Sequence, residues 1–406
     1  MNLSYFISKR ITAGGNDSFS STIHKIAVGS IGIGLAVMIV SFLILKGFQD
    51  TVTEKIYSFS SHFKVTKYTL GNSYEESPIS INNELYNNYK KYGFIDHVQE
   101  YSHKAGLIKT EEEVLGIIFK GVGTSFDLNR FAPNLKEGRF VNFDSLGYSK
   151  EVVISKIISD KLRLNVGDDM VIHFFQNPPR VRKLKVVGVY ETNLSEYYDD
   201  KFIIGDIDLI QKLNNWADSV AGGMEVFVTD ESKMDEDEKL LDDIVDYDLF
   251  VEKVNDKYIQ VFDWLHLISR QVNIFLAIIL FVVCVNMISI ILILIMERTQ
   301  MIGLLKAFGA NNQLVRKIFT FNGMHLIVKG LALGNLLGIG IGVIQYYLKV
   351  IPLNPHDYYM SYVPIGWSWE IIIALNVLTF VVVSLIIIVP TTVIASIDPI
   401  KNIKYD

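Results

Sequence analysis

Several residue groups in this sequence have types and spacings that could do chemistry, and most of them read as structure instead. Met234–Asp248 carries Asp235, Glu236, Asp237 and Glu238 in succession, a run that could gather a cation. Consecutive carboxylates point in different directions round a helix, whereas a calcium loop supplies ligands at alternate positions about a central glycine. The run therefore reads as a solvated helix face. The eight histidines are scattered, the one cysteine is Cys284, and neither HExxH nor a cysteine pair occurs. No metal-ligand set is visible and no catalytic residue is assigned. GxxxxGK(S/T) is missing too, so this sequence has no phosphate loop with which to grip a nucleotide. Gly338-Ile339-Gly340-Ile341-Gly342 is spaced like a dinucleotide loop, but it lies in an apolar stretch with no strand before it. Gly334, Gly338 and Gly342, four apart, instead form a small-residue stripe that lets another helix approach closely, from this chain or a second one. On a continuous helix Asn322, His325 and Lys329 share a face. They read either as a buried polar relay or, the simpler account, as a projection from which Lys329 snorkels to the surface.

The segment 297–310, ERTQMIGLLKAFGA, carries chemistry of another kind, that of docking. Met301, Leu304, Leu305 and Phe308 make a helical apolar stripe, Gly303 and Ala307 make a small flat patch, and Gly309 is placed to cap the C-terminus. Asn311 suits the N-cap of the next helix. A short helix with an apolar and a flat face, flanked by basic residues, suits a groove in a partner protein.

The elements that must position this segment follow from the apolar pattern. The 406-residue chain is half hydrophobic and one-fifth charged, with a positive mean hydropathy. Ile26–Leu45, Val272–Met296, Gly330–Leu348 and Ile371–Val389 hold almost no charge. Each meets the roughly 18 apolar residues needed to cross a hydrocarbon core of about 30 Å. Residues 49–266 hold 38 acidic and 25 basic side chains, a net of −13, and the remainder carries +7. Lys9, Arg10 and Lys25 precede the first span, Arg298, Lys306, Arg316 and Lys317 lie between the second and third, and Val350–Gly366 has no Lys or Arg. Positive-inside bias puts both termini and 297–317 in the cytoplasm, with 49–266 on the far side. Tyr346, Tyr347, Tyr358, Tyr359, Tyr362, Trp367 and Trp369 mark the opposite interface.

The expected fold class is an α-helical membrane protein with four transmembrane helices and a large α+β extracytoplasmic domain of two lobes between helices 1 and 2. The expected order is an N-terminal interfacial segment (1–25), with a short helix over 1–10, then the first span (26–48), read as an uncleaved anchor, and the domain (49–266). There follow the second span (267–296), the docking segment (297–315), the third span with a cytoplasmic extension (316–349), a loop (350–366), the fourth span (367–395) and a tail (396–406). Within the domain, 136–220 is expected as a lobe inserted into one built from 50–135 and 221–262. Glu151–Ser155, Met170–Phe175, Leu184–Tyr190 and Met224–Thr229 are expected strands, and Lys156–Leu164 and the acidic 231–262 stretch are expected helices.

ERTQMIGLLKAFGANNQLVRKIF (297–319) resembles the coupling segment of the FtsX-like/MacB-type ABC permease superfamily. Further similarity lies in EGRF (137–140), EVVIS to LKVVGVY (151–190), FDWLHLISRQVNIFLAIIL (262–280) and DPIKNIKYD (398–406). NPHDYYMSYVPIGWSWE (354–370), with that tail, is most similar to the lipoprotein-releasing (Lol-type) branch. The resemblance implies a bacterial inner-membrane permease subunit with no cofactor of its own, paired with a second permease subunit as a homo- or heterodimer. ATP and Mg would be bound by a separate cytoplasmic ATPase. Glu297, Arg298, Ile302, Gly303, Lys306, Ala307, Gly309 and Ala310 would occupy the coupling motif. The complex would take lipoproteins from membrane lipid to a periplasmic chaperone; nucleic acid has no part in it. Met38, Phe42, Ile44 and Phe48 are candidates to line a substrate cleft, with plain helix or lipid contact as the alternative. Phe174, Phe175, Pro178, Pro179 and Arg180 are the nearest counterpart of a chaperone-gripping hairpin, shorter than that hook should be. Two other functions remain open: a cell-division-type scaffold that activates cell-wall hydrolases, and an unfused peptide or macrolide efflux permease.

Overall fold

The computed structural model describes residues 19–69, 74–110, 113–143 and 147–392. The interfacial helix expected over 1–10 and the tail 398–406 lie outside the described residues. Among the described residues four helices are long and apolar enough to cross a membrane: α1 (Phe19–Ser60), and, later in the chain, Ile259–Glu297, Asn312–Leu348 and Trp369–Thr391. Each contains one expected span, but the first two continue well past it, α1 through Lys46, Asp50, Glu54 and Lys55 to Ser60. The chain divides into two compact units, Met1–Asp50 with Trp264–Pro352 and Tyr362–Asp406, and Thr51–Asp263 with Leu353–Ser361.

The second unit is built on one ten-stranded sheet. Its strands, with the two of a small second sheet, are β1 (Phe63–Lys67), β2 (Ile79–Ser80), β3 (Ile95–Lys109), β4 (Val114–Val122), β5 (Leu135–Gly138), β6 (Glu151–Ser155), β7 (Asp169–Phe174), β8 (Arg180–Tyr190), β9 (Phe202–Asp206), β10 (Val220–Ala221), β11 (Gly223–Val228) and β12 (Leu249–Lys253). The order is β12-β1-β11-β3-β4-β9-β6-β8-β5, with β7 pairing β3 and β8, while β2 and β10 form the small sheet. Strands from 50–135 and 221–262 lie together at one end and those from 136–220 at the other, joined by the parallel β4–β9 pair and the antiparallel β3–β7 pair. Helices α2 (Lys156–Leu162) and α3 (Ile207–Asn214) follow β6 and β9, each N-capped by the last residue of its strand, Ser155 and Asp206. Their apolar faces close a core of Ile154, Ile158, Val186, Ile203 and Ile210.

The acidic stretch departs from expectation. Helix α4 spans only Met234–Ile244, and Leu249–Lys253 is strand, because Leu249-Phe250-Val251 offers β-branched and aromatic side chains to the β1 edge. In α4 the carboxylates divide: Asp237 is buried, while Asp235 and Glu238 reach Lys253 at 2.7 and 3.2 Å.

Registers place a polar row across one face of the sheet. Glu252 on β12 faces Lys64 on β1, Lys64 faces Glu225 on β11, and Glu225 faces Gln99 on β3. Four residues on along β3, His103 faces Lys120 of β4. Glu225, fully enclosed, accepts from Lys120 at 2.7 Å and Gln99 at 2.8 Å, with Lys64 at 3.7 Å. Burial pushes the Lys120 ammonium down to about 8, against the pull of Glu225. Burial also works against the Glu76 carboxylate, but the His103 ring 2.5 Å away holds it below the usual range.

The first unit packs its helices through small residues. A Cβ at Gly330, Gly334, Gly338 or Gly342 would meet Ile31, Leu35, Ile39 or Leu43 of α1, so both helices step by four residues along one seam. The stripe's partner is thus this chain's own first span. Asn335 and Asn376 exchange amide hydrogen bonds of 2.7 and 2.9 Å between the third and fourth long helices. The third long helix runs unbroken through Lys329. Asn322 is buried on it and Lys329 exposed, so the three polar residues do not assemble into one buried relay.

Candidate functional site

The expected docking segment begins where α5 (Ile259–Glu297) stops. The Thr299 hydroxyl donates to the Met296 carbonyl at 2.6 Å, closing the end of α5, and α6 (Thr299–Ala307) starts within one residue. At its far end Ala310 N–H reaches Leu305 O and Gly309 N–H reaches Lys306 O, a Schellman pair. The turn requires positive φ at Gly309, which sits at +89°. Asn311 then caps α7 (Asn312–Leu348), its side chain accepting from Leu314 N–H at 2.8 Å. Glycine cap and asparagine cap stand where the residue types placed them.

Burial divides the expected apolar stripe. Ile302 is fully enclosed among Ile23, Ala27, Ile295, Val315 and Phe319, with Met301 and Ala310 packed beside that cluster. Leu305 and Lys306 are half-buried, while Leu304 and Phe308 are 52% and 80% exposed. Gly303 is buried and Ala307 exposed, so they do not form one outward flat patch: four residues advance a helix by about 400°, and here the burial edge falls within the extra 40°. α6 is thus keyed into the bundle through Met301 and Ile302 and presents Leu304, Ala307 and Phe308 outward. Beside it Glu297 is exposed, and the Nε atoms of Arg298 and Arg316 are enclosed without a hydrogen-bond partner among the described residues.

The residues expected in a substrate cleft are mostly committed elsewhere. Met38 is buried with Leu35, Ile39, Leu276 and Ile372, and Phe48 is buried edge-on to Trp264 at 5.3 Å. Phe42 and Ile44 are half-buried, Phe42 against the same cluster. The exposed large apolar residues of α1 are Ile26, Ile33 and Val37. Periodicity marked this helix as apolar all round, and nothing in it said which side the glycine stripe would claim.

The expected chaperone hairpin is the β7–β8 hairpin. Phe174 is buried edge-on to Phe119 at 5.9 Å, and Arg180 donates to the Lys212 carbonyl at 2.9 Å. Both serve the domain itself, which leaves Phe175, Pro178 and Pro179 exposed in the turn. Sequence reading missed β1, β3 and β4 and with them the polar row. The alternation of Lys64 and Thr66, and of Gln99, Tyr101 and His103, was the available signal.

Residues 26–244 match the MacB-like periplasmic core domain family, and residues 273–399 match the FtsX-like permease C-terminal family. The chain is 20% identical over 388 residues to the lipoprotein-releasing system transmembrane protein LolE of Haemophilus influenzae, covering 91% of each. It is 20% identical over 365 residues to LolC of Neisseria meningitidis, covering 86% of each. An uncharacterized membrane protein of Buchnera aphidicola is 23% identical over 361 residues, 84% of this chain and 81% of that one. Among solved structures, the periplasmic region of MacB from Actinobacillus actinomycetemcomitans aligns with a TM-score of 0.35 at 16% identity, covering 50% of this chain and 92% of that one.

Proposed function

Because the chain belongs to the permeases that join a MacB-like periplasmic core domain to an FtsX-like permease region, we propose that it is the membrane subunit of a transporter that releases lipoproteins from the bacterial inner membrane. As a member of that family it is an ABC-transporter permease, a transporter membrane subunit. In this reading 297–317 and both termini face the cytoplasm, the sheet domain lies in the periplasm, and ATP is hydrolysed by a separate subunit docked on α6. A second permease subunit completes the pair, and a periplasmic chaperone receives the lipoprotein.

The observation that carries the reading is the division of α6. Its inner face is fixed by Ile302 in the bundle core, while Leu304 and Phe308 stay exposed on the outer face. A partner that buried them would act directly on the ends of α5 and α7, both unbroken helices. The half-buried Arg298 and Arg316 side chains beside α6 favour an acidic rim on that partner. Lipoproteins suit the energetics of such a machine, since each acyl chain holds its anchor in the bilayer by about 0.8 kcal/mol per buried CH₂ and extraction needs coupled work. The near full-length alignment to LolE and LolC supports this cargo over the alternatives.

Depletion of the protein in its host tests the reading. Mature lipoproteins should accumulate in the inner membrane. Normal lipoprotein sorting with filamentous or chained cells would instead point to the cell-division scaffold.

A further inference from the structure

The sheet domain contains a cavity of about 530 Å³, a size suited to a small molecule, that the proposed transport cycle does not use. Part of the polar row, Glu252, Lys64 and His103, lines it. Lys64, Tyr101 and His103 reach it from β1 and β3, and Tyr74, Tyr197 and Tyr258 stand among its walls. Tyr101 is held down because Gly223, its neighbour in register, has no side chain: a Cβ there would lie 2.8 Å from the tyrosine ring.

The balance of donors and acceptors gives the chemistry of an occupant. The carboxylates are engaged by the protein. Glu76 accepts from the His103 backbone N–H at 3.0 Å and the ring Nδ1 at 2.5 Å, and Glu75 from Lys104 at 2.8 Å and Ala105 N–H at 3.2 Å. Glu252 lies 3.5 Å from Lys257. The donors are less committed. Lys64, with a side chain 4% exposed, has three N–H groups and one long 3.7 Å pairing to Glu225, an acid it shares with Lys120. The Tyr101 hydroxyl takes no hydrogen bond from the described residues, although the residue is 1% exposed. Lys201 reaches only the Tyr74 hydroxyl, at 3.3 Å, and has no carboxylate partner among the described residues. Lys64 and Tyr101 are buried with donor capacity to spare, Lys201 stands half-exposed beside them, and an anionic oxygen ligand could engage all three.

We propose that this cavity binds a small ligand presenting an oxyanion, carboxylate or phosphate, to Lys64, Tyr101 and Lys201, with a flat or apolar body against the tyrosine rings. The chemistry is that of a peptide C-terminus or of a phosphorylated headgroup.

Isothermal titration of the full-length protein in detergent, using N-acetylphenylalanine, its amide and phenyl phosphate, tests this. At least one of the two anions should bind saturably, and the uncharged amide at least ten-fold more weakly. Binding of the carboxylate alone assigns a peptide terminus, of the phosphate alone a headgroup, and of both a general oxyanion site. Lys201→Ala, on the half-exposed wall, and Tyr101→Phe, which removes only the hydroxyl, should each weaken binding by about ten-fold with an unchanged melting temperature. Lys64→Met should abolish it, and if that variant does not fold the other two decide. No saturable binding of either anion, amide binding as tight as acid binding, or indifference to both Lys201→Ala and Tyr101→Phe would overturn the proposal.

Discussion

Replacing Leu304 and Phe308 together by alanine separates docking from folding, because the structure gives the two faces of α6 different work. Complete burial of a leucine or phenylalanine side chain contributes about 1.5–3 kcal/mol. With 80% of Phe308 and 52% of Leu304 still open, a partner covering both would gain roughly 3 kcal/mol, or on the order of a 100-fold tighter complex. The same side chains contribute little to the isolated subunit, so the double variant should insert, fold and melt like wild type. Ile302→Ala is the complementary change. It opens a cavity in the bundle core and should cost about 2–5 kcal/mol of stability, and it alters no exposed docking atom. The assay is co-purification of the ATPase subunit with tagged permease from detergent extracts, read beside the melting temperature of each permease alone. The expected pattern is lost ATPase with normal melting for the double variant, and lowered melting for Ile302→Ala. Undiminished ATPase recovery with Leu304→Ala/Phe308→Ala would refute the assignment of the outward face of α6 as the docking surface.

Other outcomes follow from the packing and the charges. Gly334→Leu places a Cβ 2.9 Å from the Gly32 carbonyl oxygen and should destabilise the helix bundle by about 1–3 kcal/mol, whereas Gly340→Leu, with open space around it, should be near neutral; thermal melts in detergent distinguish them. Asn335→Leu strands the Asn376 amide and should cost about 0.6–1.7 kcal/mol, with much of the loss recovered in Asn335→Leu/Asn376→Leu, as a double-mutant cycle would show. Lys120 titrates near 8 in the folded protein against an ordinary value of 10.5. The unfolded chain therefore binds the extra proton between those limits, and this group's contribution rises with pH across the window and falls as pH drops through 8, by at most about 3 kcal/mol. Melting temperatures from pH 7.5 to 9.5 should accordingly rise more, or fall less, for wild type than for Lys120→Met, and parallel curves would contradict the assignment.

The membrane helices were the most legible part of the sequence, because an uncharged run of 19 or more residues has few other uses. Punctuation was legible too: Gly309 and Asn311 act through local backbone geometry, so their roles do not depend on what packs nearby. What lay beyond reach was which face of each element would be claimed by another. Ile302 and Leu304 are both apolar and two residues apart, and only the cluster around Ile23, Val315 and Phe319 separates them. Met38 and Phe48 were equally ambiguous until the cluster with Leu276 and Ile372 and the ring of Trp264 took them inward. The polar row was hidden for a different reason. Lys64, Lys120 and Glu225 come from three strands distant in sequence, and buried charges look like surface residues until the register aligns them. The strand at Leu249–Lys253 was masked by the acidic helix before it, whose charge pattern was extended too far.

The central claim is that this chain, driven by an ATPase on α6, moves lipoprotein out of a bilayer. Its most direct measurement is release of a radiolabelled, acylated lipoprotein from proteoliposomes containing the permease complex into a soluble fraction holding a periplasmic lipoprotein chaperone. Release should require ATP and the ATPase subunit, and should fall to background with Leu304→Ala/Phe308→Ala. If lipoprotein stays in the vesicles while the wild-type complex hydrolyses ATP at full rate, the chain transmits force to some other end.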